Sequence, residues 1–256
     1  MKHLIALLIL LVASNITAQE KPQWHAVYQY KKIVNEKEKA RRDSLVKAQP
    51  AMAEMIKKLY KRFDNRTFSM DFTREESLFK EEKKLDNPGK NTRFIGIRDK
   101  KLYKNIRKKI YLDKRPSMDE VFIISDSLPE YKWKITNESK TIGKYTVIKA
   151  EAVEPKDSTK KIIAWFSPEI PVQNGPAKYW GLPGLIMEIT NGKDLYLLKE
   201  IVINPQKKVK ILPPADGKIV DEKTYKEATE KMREEMRKRY KNHRGSKDSR
   251  SIEIRM

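Results

Sequence analysis

A chain of 256 residues, 39% hydrophobic and 36% charged, holds enough apolar material for one good core beneath a heavily charged surface. Its 56 Lys and Arg against 35 Asp and Glu give a net charge of +21, a field that draws anionic partners, but no finger, RNP or helix-turn-helix signature accompanies it, so a specific nucleic-acid reader is excluded. The absence of cysteine excludes disulfides, thiol catalysis, Cys-based zinc sites and lipid attachment at an amino-terminal cysteine.

Met1–Ala18 has the pattern of a secretory signal peptide: Lys2, an apolar run from Leu4 to Ala13 too short to span a bilayer core of about 30 Å, and a small or polar cleavage region. Its removal takes away only Lys2 among the charged residues, leaving 55 − 35 = +20. The expectation is an exported, unlipidated protein of the periplasm or outer-membrane surface. Trp24–Val34 is a strand, with Trp24, Ala26, Tyr28 and Tyr30 on one face. Asn35–Ala48 is a solvated, charged helix. Pro50–Phe63 is a second helix, with Met52, Met55, Ile56, Leu59, Tyr60 and Phe63 in one apolar stripe and Lys57, Lys58, Lys61 and Arg62 opposite.

Short strands follow: one at Phe68–Phe72, another starting at Ser77–Phe79, then 92–98, 101–106, 109–112, 120–124, 131–135, 146–153, 161–166, 185–190 and 195–203. Turns fall at Asp86-Asn87-Pro88-Gly89 and Asn191-Gly192-Lys193. The spacing predicts an α+β domain, residues 19–215, built on a curved antiparallel sheet whose apolar face the 50–63 helix covers, because such a face must be buried against something. Pro205, Pro213 and Pro214 with Asp216-Gly217 mark a linker. Residues 216–256 then form a basic helix capped by Asp221, self-supported by Glu222–Lys226 and Glu234–Lys238 pairs, with an unstructured tail after Asn242. That helix is read as solvated by default, with docking on the sheet or lying on an anionic membrane surface as alternatives.

Between the apolar runs Ile162–Phe166 and Leu185–Ile189 lie Pro168, Pro171, Pro176, Pro183, Gly175, Gly181 and Gly184. Each proline fixes φ and removes a donor, and each glycine permits a positive φ, so this is a rigid loop rather than helix or central strand. Two roles are open to it: sealing the open end of the sheet, or a binding edge formed with Trp165, Tyr179, Trp180 and Leu182.

Gly181-Leu182-Pro183-Gly184-Leu185-Ile186 is the hexapeptide that names the GLPGLI family of Bacteroidetes envelope proteins, and the chain resembles a member. Trp165-Phe166-Ser167-Pro168-Glu169-Ile170-Pro171 is similar to that family's AWFTPEIP segment, and Gly175-Pro176, Trp133-Lys134-Ile135, Lys140-Thr141-Ile142-Gly143 and Lys149-Ala150 match further blocks, over about Tyr28 to Ile203. Val147 stands where some members carry Cys, and the long basic C-terminal region is less typical. The family has no established activity, so the resemblance implies fold and compartment. A sheet closed partly by a helix is, by analogy, similar to periplasmic lipoprotein carriers.

No reactive constellation stands out. His25 and His243, at opposite ends of the chain, have no nucleophile-elbow sequence to join, no His and carboxylate set has metal-ligand spacing, and Gly181–Gly184 lacks the Lys and the amides of a phosphate loop. No catalytic residue, cofactor or metal is expected. The leading expectation is a non-catalytic envelope protein that holds an apolar, lipid-like ligand between the 50–63 helix and the sheet. The runner-up is an interaction module that binds an outer-membrane protein through the Pro/Gly loop and the basic helix.

Overall fold

Every second side chain of Trp24–Tyr30 is large or apolar, and in the computed structural model, which describes residues 22–82, 100–117 and 120–253, this segment is strand β1 (Trp24–Lys32) with Trp24, Ala26, Tyr28 and Tyr30 all buried. The proposed leader, the strand at 92–98 and the turn at 86–89 lie outside the described residues. From one side of β1 the chain meanders outward through β2 (Asn65–Phe72), β3 (Glu76–Glu81), β4 (Lys101–Asn105), β5 (Ile110–Ser117) and β6 (Glu120–Ser127). It restarts at the far edge and returns through β7 (Lys134–Ile142), β8 (Tyr145–Glu154), β9 (Asp157–Ser167), β10 (Leu185–Thr190) and β11 (Asp194–Ile203) to pair with the other side of β1. The result is one open, mostly antiparallel sheet of twelve strands among the described residues, with β12 (Lys218–Val220) added parallel to β6.

Connectivity forces this sheet to curl. Strands β6 and β7 stand ten strand spacings apart in the sheet order, about 48 Å if the sheet were flat. Yet the chain passes from Ser127 to Lys134 in seven residues, which reach at most about 25 Å. The sheet therefore bends until its two ends approach. The buried hydroxyl of Tyr28 accordingly reaches the Ile186 carbonyl, two strands away, at 2.8 Å. Strand β10 assists: a bulge at Met187 breaks its register, and it pairs with β11 only over Glu188–Thr190.

The buried apolar residues form two clusters. One combines Trp24, Tyr28, Met70, Phe72, Phe79 and Phe122 with Tyr145, Val147, Leu185 and Met187 from the returning strands. The other is made by Ala150, Ile162, Ala164, Phe166, Ile186 and Ile189. Ring pairs bind the first, Phe68 on Phe79 at 4.9 Å and Trp24 on Phe72 at 5.5 Å.

Three helices stand outside the sheet among the described residues. Helix α1 (Glu36–Ala48), capped by Asn35, buries no residue, as its uniform charge predicts. Helix α2 (Ala53–Asp64), entered by a single 3-10 turn at Pro50–Met52, is where expected but not positioned as expected. It touches the ends of β1 and β2, buries only Ile56, and contributes nothing to either apolar cluster. The helix-covered sheet is thus corrected: the sheet's inner face is covered by the Pro/Gly segment instead. Helix α3 (Glu222–Glu253) begins at Asp221, whose side chain accepts from Thr224 N at 2.6 Å, and continues past Asn242, where an unstructured tail is predicted. Its first turns are docked rather than solvated, with Tyr225, Ala228 and Met232 against the first cluster. The strand predicted at 131–135 begins instead at Lys134, because Leu128–Trp133 is used up in the crossing from β6 to β7.

Candidate functional site

The Pro/Gly segment runs inside the curl. Its own backbone makes a small ladder: Asn174 bridges Trp180, Gly181 N donates to Gln173 O, and Ile186 N and Leu185 N of β10 donate to Asn174 O and Ile170 O, each at 3.0 Å. Ile170 and Val172 enter the first apolar cluster, while Tyr179 and Leu182 enter the second, so the segment joins the two halves of the core. Two glycines are set by close approach. A Cβ on Gly175 would lie 2.7 Å from Cβ of Ile186, and one on Gly184 would overlap the Ser167 carbonyl. Gly181 turns with φ +95°, and Ala177 holds φ +49° without being glycine.

Polar anchors fix the segment to the sheet. Lys104 of β4 is fully buried, and its Nζ donates to the Gly175 carbonyl at 2.6 Å and the Tyr179 carbonyl at 3.2 Å. Among the described residues it has no carboxylate within ion-pairing distance, and burial pulls its pKa down to about 7. Beside it on β3, Ser77 Oγ donates to Asn174 Oδ1 at 3.4 Å, and the same oxygen accepts from Gly175 N at 2.9 Å. At the sheet's gap, Trp180 Nε1 donates to Pro129 O at 2.7 Å and Trp133 Nε1 donates to Trp180 O at 2.9 Å, stapling the segment to the β6–β7 crossing.

A charged junction ties the same segment to α3. Lys178 Nζ lies 3.2 Å from Glu222 Oε2 and 3.7 Å from the centre of the Tyr111 ring, and Tyr111 donates to that same oxygen at 2.8 Å. Burial lowers the Lys178 pKa while Glu222 opposes the shift. Burial also works against the Glu222 carboxylate, but Lys178, Tyr111 and Arg115 together hold it below its ordinary range. Burial and the bond to Glu222 push the Tyr111 hydroxyl well above its usual pKa.

These contacts place the predicted loop residues. Gly175, Pro176, Leu182 and Gly184 are buried, and Trp180 is half-buried between Trp133 and Pro129. Pro168, Pro171, Gly181 and Pro183 are exposed but scattered between buried neighbours, so they form no continuous edge. Trp165 belongs to β9 and lies under the Lys140 ammonium at 4.3 Å, which also bonds Glu188 at 2.6 Å. The polar anchor Lys104 carries no sequence signal, since a lysine at mid-strand reads as solvent-facing.

Two arrangements lie elsewhere. His25 Nδ1 bonds the buried Asp71 carboxylate at 2.7 Å, with Lys80 at 3.5 Å from its other oxygen. Among the described residues no hydroxyl bonds that imidazole. Along α2 and the turn that enters it, Met52, Met55 and Phe63 are 45%, 51% and 40% exposed, an apolar strip open to solvent. No group of three metal-ligating residues is present among the described residues. No described helix is long and apolar enough to cross a membrane.

Residues 154–188, from the end of β8 through β9 and the Pro/Gly segment into β10, match a family described as protein of unknown function (Porph_ging). No curated protein matches the chain. Among solved structures the chain is similar to PNGF-II in two crystal forms, C2 and P21, each at TM-score 0.50 and at 18% and 17% identity respectively. Each match covers 80% of this chain and 32% of the PNGF-II chain, so this chain spans about a third of that protein's length and the likeness concerns fold alone.

Proposed function

We propose that this chain is a GLPGLI-type, non-catalytic protein of the cell envelope, exported by its leader, that docks onto another envelope component through the outer face of α2. The curled sheet is read as a half-barrel plugged by the chain's own 168–184 segment. That plug occupies the inner face which a lipoprotein-carrier reading reserves for a ligand, so docking is favoured over ligand carriage.

One observation carries this reading: the strip of Met52, Met55 and Phe63 faces solvent on a helix fixed to the sheet, whereas the loop, for which a binding edge is one of two open roles, is largely buried. Its anchors keep the strip outward. Ile56 is buried, Arg42 of α1 bonds Asp64, and the Arg42 guanidinium stacks 4.4 Å from the Tyr60 ring centre.

A photo-crosslinking residue at position 55, expressed with the native leader, tests the reading. The expected result is an envelope adduct from position 55 and none from position 171 on the loop. Adducts from 171 alone, or retention of the protein in the cytoplasm, overturn it.

A further inference from the structure

Docking through α2 leaves open what the helix meets, and its chemistry answers that. At 100° per residue, Met55, Leu59 and Phe63 fall along about 80° of the helix surface, with Met52 of the preceding turn beside them, and Arg62, Lys58, Glu54 and Lys61 follow next around the same edge. Ile56, Tyr60, Ala53 and Asp64 occupy the opposite side of the apolar arc, which is the side held by β1, β2 and α1. The solvent-facing surface is therefore apolar on one side and mainly cationic on the other, with the single carboxylate of Glu54 among the cations.

The cations on that edge are uncommitted. Lys57, on the far side, pairs with Glu54 at 3.0 Å. Among the described residues, Lys58, Lys61 and Arg62 have no carboxylate within ion-pairing distance, and the whole chain carries +21. A protein partner's apolar patch would satisfy the methionines but leave three adjacent cations to be matched separately. An anionic lipid surface supplies both at once: phosphate groups at the level of the ammonium and guanidinium heads, and acyl chains for Met52, Met55 and Phe63.

Resting on the docking reading above, we propose that α2 lies in the plane of an anionic lipid leaflet, with Met52, Met55 and Phe63 in the acyl boundary and Lys58, Lys61 and Arg62 on the lipid phosphates. Each cation near such a surface contributes about fivefold in affinity, so the three together contribute on the order of 100-fold.

Because the chain has no cysteine, Met55→Cys gives a single labelling site for an environment-sensitive fluorophore. The purified protein is mixed with phosphatidylcholine vesicles with or without phosphatidylglycerol. The expected result is a blue shift at position 55 with phosphatidylglycerol only, reversed by salt. The variant Lys58→Gln/Lys61→Gln/Arg62→Gln then binds about 100-fold more weakly, with an unchanged melting temperature. A blue shift from Met236→Cys on α3 without one from position 55 overturns the proposal, as does undiminished binding of the charge variant. If no vesicle binds while the position-55 crosslinker still captures an envelope protein, the lipid surface fails and docking stands. If neither occurs, both fail.

Discussion

The Pro/Gly segment and helix α2 exchange the roles their sequences suggest. A run of prolines and glycines between two strands looks like an exposed loop, and an amphipathic helix looks like the cover of a sheet. Here the loop is internal, with Leu182 at 0% and Ile170 at 2% exposure, while the helix turns Met55 outward at 51%. Burial of a loop requires that its backbone polar groups be met, and here Lys104, the first residues of β10 and the Trp133 indole meet them. A periodic apolar stripe states only that one face differs from the other. Which face is buried depends on what else already fills the core.

The largest effects are expected inside the plug. Leu182→Ala, at a fully buried position, is expected to cost about 2–5 kcal/mol, read as a lower denaturation midpoint in urea. Gly184→Ala, whose new methyl meets the Ser167 carbonyl, is expected to cost about 3 kcal/mol or to prevent folding. A near-neutral result at both sites would return the segment to the role of an external loop.

Lys104 sharpens the same point through pH. Its folded pKa of about 7 lies below the ordinary lysine value of about 10.4. Between these values the unfolded chain holds the extra proton, so stability climbs as pH rises through that window. Below about pH 7 both states are protonated and the burial penalty is fully felt. The whole rise is at most about 5 kcal/mol. Above pH 10 the trend reverses, because buried Tyr28, Tyr111 and Tyr196 stay protonated in the fold after the unfolded chain has lost those protons. Urea titrations across pH should show a maximum near pH 9–10 by this argument. Lys104→Met should flatten the rising limb and leave the falling one.

Much of the sheet was legible in the chain. Alternation in Trp24–Tyr30 and the bounds of β10 and β11 follow from a period of two and a hairpin turn at Asn191-Gly192. The three-residue β12, and its parallel pairing with β6, carry no periodic signal, because Lys218-Ile219-Val220 is too short to show one. The strand order that forces the curl was hidden for a different reason: it depends on the six-residue crossing between β6 and β7, and strand order is a property of pairing rather than of any local stretch. The prolines and glycines marked 168–184 as a single segment. Their burial was missed because the main ligand for their carbonyls, Lys104, sits 71 residues upstream of Gly175.

A smaller effect is expected at the staple. Trp180→Phe keeps an aromatic side chain but removes the Nε1 donor, and the ring that carries it, from the Pro129 carbonyl, and is expected to cost about 1–2 kcal/mol by thermal melt. If Trp180 were instead a free binding residue, the substitution would leave stability unchanged.

The smallest effect is the sharpest test of the contrast. Met52→Ser, Met55→Ser and Phe63→Ser remove side chains that are already about half in water, so each is expected to shift stability by no more than about 0.5 kcal/mol. A core-covering helix would instead lose several kcal/mol on the same three changes, as buried methionine and phenylalanine do on truncation. Ile56→Ser serves as the internal control on the same helix: its side chain is buried against the sheet, and its replacement should cost about 2–5 kcal/mol. Equal losses at 55 and 56 would mean that the strip packs on something in solution. A loss at 56 alone leaves Met52, Met55 and Phe63 as a surface kept for contact, since hydration of three large apolar groups on one edge brings the folded monomer no stability.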